Sequence, residues 1–114
     1  MRTTTMSDEE ENTMYIRMKP AIRKQQILDA AIELAIEKGY RNITRKDVAI
    51  ASKSASGLIG RYFKTVAGLK RSIVEAAIER EIMPILAENL SIKGEETRLI
   101  SAELKEKVIL YLTN

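Results

Sequence analysis

Residues 43–69 read ITRKDVAIASKSASGLIGRYFKTVAGL, and this stretch decides the fold. Thr44 followed three residues later by Asp47 resembles a capping box with the shorter acidic residue, which predicts a short helix through about Ala51. The small and polar residues 52–55 break that pattern, and a second short helix is predicted over residues 56–63. The stretch therefore predicts two short helices separated by about four residues.

Longer helices are predicted on both sides of this pair. Pro20 suits a first helical turn and Gly39 suits a left-handed stop, so a first helix is expected from Pro20 to Lys38. Thr65 can cap a fourth, longer helix. The apolar residues expected on the buried faces of these two helices are Ile27, Ala30, Ala31 and Leu34 in the first, and Leu69, Ile73, Ala77 and Ile82 in the fourth.

The C-terminal part of the chain is predicted to be helical as well. Pro84 is expected to kink or end the fourth helix, because proline cannot continue a helix interior. The pair Lys93-Gly94 marks a break, and a last amphipathic helix is expected from about Glu95 to Leu112. The chain is therefore predicted to be all-α, with a three-helix unit of the helix-turn-helix type, a long fourth helix and a short C-terminal helical segment.

The composition of the 114 residues excludes most familiar active sites. Cysteine and histidine are both absent, which excludes disulfides, Cys/His zinc sites, thiolate nucleophiles and serine-histidine relays. We therefore expect no enzymatic activity, no metal site and no cofactor. The longest aliphatic or aromatic run, residues 108–112, is far shorter than the roughly 20 residues of a spanning helix, and no secretory signal is visible. A cytoplasmic protein without a membrane partner is expected.

Positive charge is concentrated in the middle of the chain. The formal net charge is +3, but residues 14–71 carry 13 basic side chains against 4 acidic ones, while both flanking segments are acidic. Such a block is typical of a protein whose partner carries phosphate groups. A basic face that is merely solvated is the alternative interpretation.

The helix-turn-helix layout places the second short helix in the major groove of DNA. Basic residues at the start of a helix strengthen the binding of phosphate, because the free backbone N–H groups and the helix dipole already attract anions there. Small polar residues at the start of the second helix let the backbone and hydroxyl groups approach base edges. Tyr62 is expected to pack in the core with Phe63, although its hydroxyl can still reach a phosphate. The candidate DNA contacts are Arg45, Lys46, Ser54, Ser56, Gly57, Arg61, Tyr62 and Lys64.

Residues 21–71 resemble the DNA-binding domain of TetR-type transcriptional regulators. Residues 23–40, RKQQILDAAIELAIEKGY, look like the first helix of that family and its Gly-aromatic stop. The residues at the family's signature spacings are Thr44, Asp47-Val48-Ala49, Gly57, Ile59, Tyr62-Phe63 and Leu69. The resemblance implies a homodimer that binds double-stranded DNA sequence-specifically at an inverted repeat and regulates transcription, with repression as the expected effect.

Two departures from the family pattern fall at the turn. Lys53 stands where the family usually has glycine, so either this lysine adopts a left-handed conformation or the turn differs. Ala55 stands where the family usually has a serine or threonine cap, a role that Ser54 or Ser56 can take over.

Two further departures remove residues with which the family commonly contacts DNA. Gly60 stands in place of an aromatic residue and Val66 in place of a lysine. The expected replacements are Lys53, Arg61 and Lys64, which adds Lys53 to the candidate DNA contacts. The departures also support an alternative function, that of a protein-binding helical adaptor or inhibitor that uses the basic face for an acidic partner.

The C-terminal segment is short for this family. The expected division is an acidic disordered tail over residues 1–13, a helix-turn-helix DNA-binding region over 14–71 and a helical dimerisation segment over 72–114. Residues 72–114 are too few for the effector-binding domain that the family usually carries, so no small-molecule effector is expected. The apolar stripe of Leu104, Val108 and Tyr111 is expected to lie uncovered in the monomer and to form a dimer interface.

Overall fold

The computed structural model describes residues 19–93 and 95–113, and most of them lie in helices. Within these ranges there is no strand, so the predicted all-α class is confirmed. The acidic tail predicted over residues 1–13 lies outside the described residues. The helices are α1 (Pro20–Lys38), α2 (Arg45–Ser52), α3 (Ser56–Phe63), α4 (Val66–Arg80), α5 (Met83–Ile92) and α6 (Ala102–Thr113), with 3-10 helices at Tyr40–Asn42 and Glu95–Leu99.

The end of α1 and the start of α2 are set by the residues that the sequence pattern indicates. Gly39 follows α1 with φ 102°, which an L side chain rarely adopts, and its N–H donates to the Ala35 carbonyl at 3.0 Å. The Asp47 N–H donates to Thr44 Oγ1, and the Thr44 N–H donates to Asp47 Oδ2, both at 3.1 Å. The predicted capping box is therefore confirmed.

The turn between α2 and α3 depends on Lys53. This residue has φ 55° and ψ 41°, so the left-handed conformation is the correct one of the two alternatives. The following Ser54 N–H reaches back to the Ala49 carbonyl at 2.9 Å, which closes the end of α2 with a bond typical of a left-handed helix stop. The left-handed conformation of a residue with a Cβ costs about 1–2 kcal/mol.

The start of α3 differs from the prediction. Ala55 precedes α3, and within the described residues no side chain forms a cap hydrogen bond there. The Ser54 hydroxyl points away from this end and donates to the Ser52 carbonyl at 3.4 Å. The prediction that Ser54 or Ser56 caps α3 is therefore wrong, because the short Ser54 side chain already bonds to the end of α2.

One hydrophobic core receives side chains from all six helices. α1 packs against α2 and α4, α2 packs against α3, and α5 packs against both α4 and α6. Full burial of a Val, Leu, Ile or Phe side chain contributes about 1.5–3 kcal/mol. The fully buried apolar side chains that join the helices include Ile27, Val48, Leu69, Ile73, Val74, Ile85, Leu86 and Val108.

The chain around Pro84 follows the prediction only in part, since the fourth helix ends before the proline but a further helix starts there. α4 ends at Arg80, and Glu81 closes it in a left-handed conformation with φ 53°. Ile82 precedes α5 and does not lie on the buried face of α4, where it was predicted. Pro84 lies in the first turn of α5, where its missing N–H leaves no helical hydrogen bond unmade. The sequence pattern treated Pro84 only as a helix stop and so missed α5.

The last helix begins later than predicted. A 3-10 helix occupies Glu95–Leu99, and α6 begins at Ala102, where the Leu104 N–H donates to Ser101 Oγ at 3.1 Å. Leu104 is 6% exposed and Val108 is 0% exposed, because both pack into the core of the monomer, whereas Tyr111 is 47% exposed. The prediction that Leu104, Val108 and Tyr111 form one uncovered stripe is therefore wrong.

Candidate nucleic-acid interface

α3 has a buried side and an outer side with different chemistry. Ile59 and Phe63 are buried, and Tyr62 packs partly against the same core, as expected. The other side presents residues at the spacing i, i+3, i+4 and i+7, which lie on one face of a helix. We call these residues the α3 outer face: Gly57, Gly60, Arg61 and Lys64, the last of which directly follows the helix.

Five predicted contact residues carry positive charge without a carboxylate partner. In the described part of the chain, none of the five, which lie on α2, in the turn and along α3, forms a salt bridge. They are Arg45, Lys46, Lys53, Arg61 and Lys64. Nearby cations are paired instead: Lys38 with Asp47 at 2.8 Å, Arg41 with Glu88 at 3.2 Å and Arg71 with Glu75 at 3.3 Å. These five cations therefore give the helix-turn-helix positive charge that no salt bridge of the described residues offsets.

The structure brings some of these residues together and leaves others apart. The Arg45 guanidinium reaches Gly60, so this cation joins Arg61 and Lys64 at the α3 outer face. Lys46 and Lys53 are exposed on α2 and in the turn. The small residues predicted at the start of α3 differ in exposure, since Ser56 and Gly57 are exposed and Ser54 is half-buried.

A tight turn fixes Lys64 between α3 and α4. Lys64 has φ 68° and ψ −56°, and the Thr65 N–H donates to the Phe63 carbonyl at 2.7 Å, which is the geometry of a γ-turn. A non-glycine residue held in such a conformation stores about 1–3 kcal/mol of strain. Thr65 caps α4 by accepting from the Gly68 N–H at 2.9 Å, as predicted. A Cβ at Gly68 would clash with the Phe63 carbonyl oxygen, so this glycine is required by the turn.

Tyr40 joins the end of α1 to the C-terminal helices. Its N–H donates to Glu88 Oε1 at 2.7 Å, and its hydroxyl donates to Glu96 Oε1 at 2.9 Å. Arg41 donates to Glu88 Oε2 through its N–H at 3.1 Å and its Nε at 3.2 Å. The Lys70 Nζ lies 5.7 Å from the centre of the Tyr40 ring. Sequence reasoning missed this junction, because its partners are separated by 48 and 56 residues and no local pattern connects them.

Two carboxylates near the helix-turn-helix, Glu88 and Asp47, have a pKa below the ordinary value. Burial by itself raises the pKa of Glu88, but the N–H groups of Arg41 and Tyr40 and the Arg41 guanidinium outweigh it, so the pKa lies below its ordinary value. Hydrogen bonds from Lys38 and Thr44 lower the pKa of Asp47. Burial, followed by the hydrogen bond to Glu96, raises the pKa of Tyr40 well above its ordinary value, so this hydroxyl stays a donor.

The residues that the structure describes contain neither a candidate metal cluster nor a candidate membrane span. Over residues 19–93 and 95–113, no three acidic side chains are grouped in a way that could hold a metal ion. None of the helices in these ranges combines the length and the apolar character needed to cross a bilayer.

Two short helices joined by a left-handed turn, with a bare and basic outer face on the second, define a helix-turn-helix protein. Residues 27–77 match the family described as bacterial regulatory proteins, tetR family. The resemblance to TetR-type regulators is therefore confirmed.

A curated relative supports the same assignment. The chain is 37% identical over 57 residues to an uncharacterized HTH-type transcriptional regulator, YvkB, of Bacillus subtilis (strain 168). The match covers 50% of this chain but only 29% of the relative, so the chain spans less than a third of that protein's length. No solved structure shows a significant match.

Proposed function

We propose that this protein is a transcriptional regulator that binds double-stranded DNA sequence-specifically with α3 in the major groove. The observation that carries the proposal is the α3 outer face, where Gly57 exposes the backbone and the neighbouring cations have no carboxylate partner in the described chain. Unpaired cations attract phosphate, and exposed backbone can approach base edges closely. The tetR-family match over residues 27–77 supports DNA over an acidic protein as the partner.

We assign roles to the nine predicted contact residues from their positions. Small residues at the start of α3 face base edges, and Arg61 reaches a base edge or phosphate from the same helix. The cations of α2, the turn and the γ-turn contact phosphates on either side of the groove. Tyr62 supplies at most its hydroxyl, because its ring packs partly against the core. The base-edge group comprises Ser54, Ser56, Gly57 and Arg61, and the phosphate group comprises Arg45, Lys46, Lys53, Tyr62 and Lys64.

The proposal includes a homodimer formed through residues 72–114 that reads an inverted repeat. The end of α6 supports this, because Ile109, Leu110, Tyr111 and Leu112 are consecutive and each is about half exposed or more. A groove of about 570 Å³ beside them is lined in part by Ile78 and Leu110. Apolar surface of this kind is commonly covered by a second subunit. Two copies would then place two α3 helices about one turn of DNA apart.

The dimer is tested separately from DNA binding. Leu110→Glu should shift the molar mass measured by light scattering from dimer to monomer, because a charge then replaces an exposed apolar side chain. Thr113→Glu adds the same charge on the same helix and should leave the dimer intact. A monomeric wild-type protein would refute the dimer.

DNA binding is tested by selection from random duplexes. The purified 114-residue protein should enrich an inverted repeat, and Arg61→Ala and Lys46→Ala should each weaken binding to it and flatten its salt dependence. Arg98→Ala is the matched control, since Arg98 is an exposed cation on the 3-10 helix Glu95–Leu99 with no salt bridge in the described residues. Failure to enrich any motif would refute sequence-specific binding.

The alternative function, that of a protein-binding adaptor, predicts a different result in a pull-down with the same protein. If an acidic protein is the partner, a pull-down should retain that protein after nuclease treatment, and the basic residues of α2 and α3 should be needed for its capture. For a DNA-binding regulator, capture should be lost when the nucleic acid is digested. Repression is tested with a reporter behind the enriched motif, whose expression should rise when this protein is removed.

A further inference from the structure

Gly60 leaves a gap in the α3 outer face that Arg45 fills. A Cβ at Gly60 would lie 3.4 Å from Arg45 Nη1 and 3.5 Å from both Cζ and Nη2. These nearly equal distances mean that the guanidinium lies flat over Gly60. Arg45 is the first residue of α2, so its side chain extends from the start of one helix to the middle of the next. The guanidinium covers the place where another residue at position 60 would carry its side chain.

The backbone gives no reason for glycine at this position. Among the described residues, Gly39 has a positive φ but Gly60 does not. Glycine in a helix interior costs about 0.5–1 kcal/mol relative to alanine. What Gly60 permits is the close approach of Arg45, because a branched or aromatic side chain would occupy the volume of the guanidinium.

The orientation of Arg45 leaves its N–H groups free to bind an anion. One planar side of the guanidinium rests on Gly60, so its N–H bonds point along the protein surface. Arg45 forms no salt bridge in residues 19–93 and 95–113. A planar guanidinium matches the oxygens of a phosphate with two parallel hydrogen bonds. The first helix of a helix-turn-helix crosses the DNA backbone, which makes phosphate the ligand expected at the start of α2.

We propose that Arg45, seated on Gly60, donates to a DNA phosphate, and that Gly60 is the positioning residue for this contact. Arg61 and Lys64 share the α3 outer face with this guanidinium, so the three cations face the same bound DNA. The sequence pattern identified Arg45 as a candidate contact but gave Gly60 no role beyond a missing aromatic residue. The inference rests on the proposed function, since it assumes that α3 lies against DNA.

The experiment measures the salt dependence of affinity for the duplex enriched by the wild-type protein. Arg45→Gln keeps a long polar side chain but removes the charge, and Gly60→Leu displaces the guanidinium. Loss of one phosphate contact lowers the slope of log affinity against log salt by about 0.9. Between about 50 and about 200 mM salt, the wild type should therefore lose about 3.5-fold more affinity than either variant. The double variant should behave like Arg45→Gln alone, because the two changes remove the same contact.

The control is Arg98→Gln, which removes an exposed cation on the 3-10 helix Glu95–Leu99, outside the helix-turn-helix, and should keep the wild-type salt slope. An unchanged slope in Arg45→Gln would overturn the inference even if Gly60→Leu failed to fold. A changed base preference with an unchanged slope would overturn it as well, since Arg45 would then read a base. If the wild type bound no duplex, the proposed function itself would fail.

Discussion

Gly57→Ala separates the stability of α3 from its proposed function. Gly57 is exposed, does not have a positive φ, and would have nothing within 4 Å of an added Cβ. The monomer can therefore accept alanine at this position without moving any atom. If Gly57 contributes to DNA binding, it does so because the missing side chain lets the DNA approach the backbone of α3 closely.

The expected effects on stability and binding have opposite signs. Alanine in place of an exposed helical glycine should raise the free energy of unfolding by about 0.5–1 kcal/mol, and the melting temperature by several degrees. The methyl group would also enter the space between α3 and the bases. If it costs about 1.4 kcal/mol of binding free energy, affinity for the enriched duplex falls about tenfold. Urea denaturation followed by circular dichroism measures the first effect, and fluorescence anisotropy with labelled duplex measures the second.

Gly68→Ala is the matched comparison on the neighbouring helix. Its Cβ would meet the Phe63 carbonyl oxygen, so this substitution should lower the free energy of unfolding by about 1–3 kcal/mol. A stabilised Gly57→Ala protein with unchanged DNA affinity would refute the placement of the α3 outer face against DNA. A lower free energy of unfolding for Gly57→Ala would contradict the finding that nothing lies within 4 Å of an added Cβ at this position.

The remaining predictions concern the turn, the cap and the Tyr40 junction. Lys53→Gly should raise the free energy of unfolding by about 1 kcal/mol, since glycine adopts φ 55° without a Cβ clash, and should flatten the salt dependence of DNA binding, as titrations at several salt concentrations will show. Thr44→Ala should lower the free energy of unfolding by about 1 kcal/mol through loss of the cap, whereas Thr44→Ser should retain it in the same urea assay. The pKa of Glu88 lies below its ordinary 4.5 in the folded protein, so its contribution to stability is complete above that pH and is lost as the pH falls through the folded-state pKa. Below pH 4.5 the wild type should therefore lose stability more steeply than Glu88→Gln, and equal slopes in acid titrations of stability would contradict this.

Short-range chemistry explains why the helix-turn-helix could be predicted from the sequence. The Thr44 cap acts on Asp47 only three residues away, and Gly39 ends α1 through its own φ. Pro84 shows the limit of such signals, because proline both ends one helix and suits the first turn of the next. The sequence pattern used only the first property, and α5 was missed for that reason.

The candidate site was less predictable, because the character of its residues depends on partners far away in the chain. Arg41 and Arg45 look equivalent in the sequence. Arg41, however, forms a salt bridge with Glu88, which lies 47 residues further along the chain, whereas Arg45 forms no salt bridge within the described residues. The two glycines of the α3 outer face also look alike, but Gly57 faces open space and Gly60 lies beneath a guanidinium. A basic block along the sequence therefore predicts the kind of partner, while tertiary contacts decide which of its cations can reach that partner. Because Glu88 also fixes Tyr40 and Arg41 at the end of α1, the same carboxylate that pairs with one exposed cation holds the helix-turn-helix against α5.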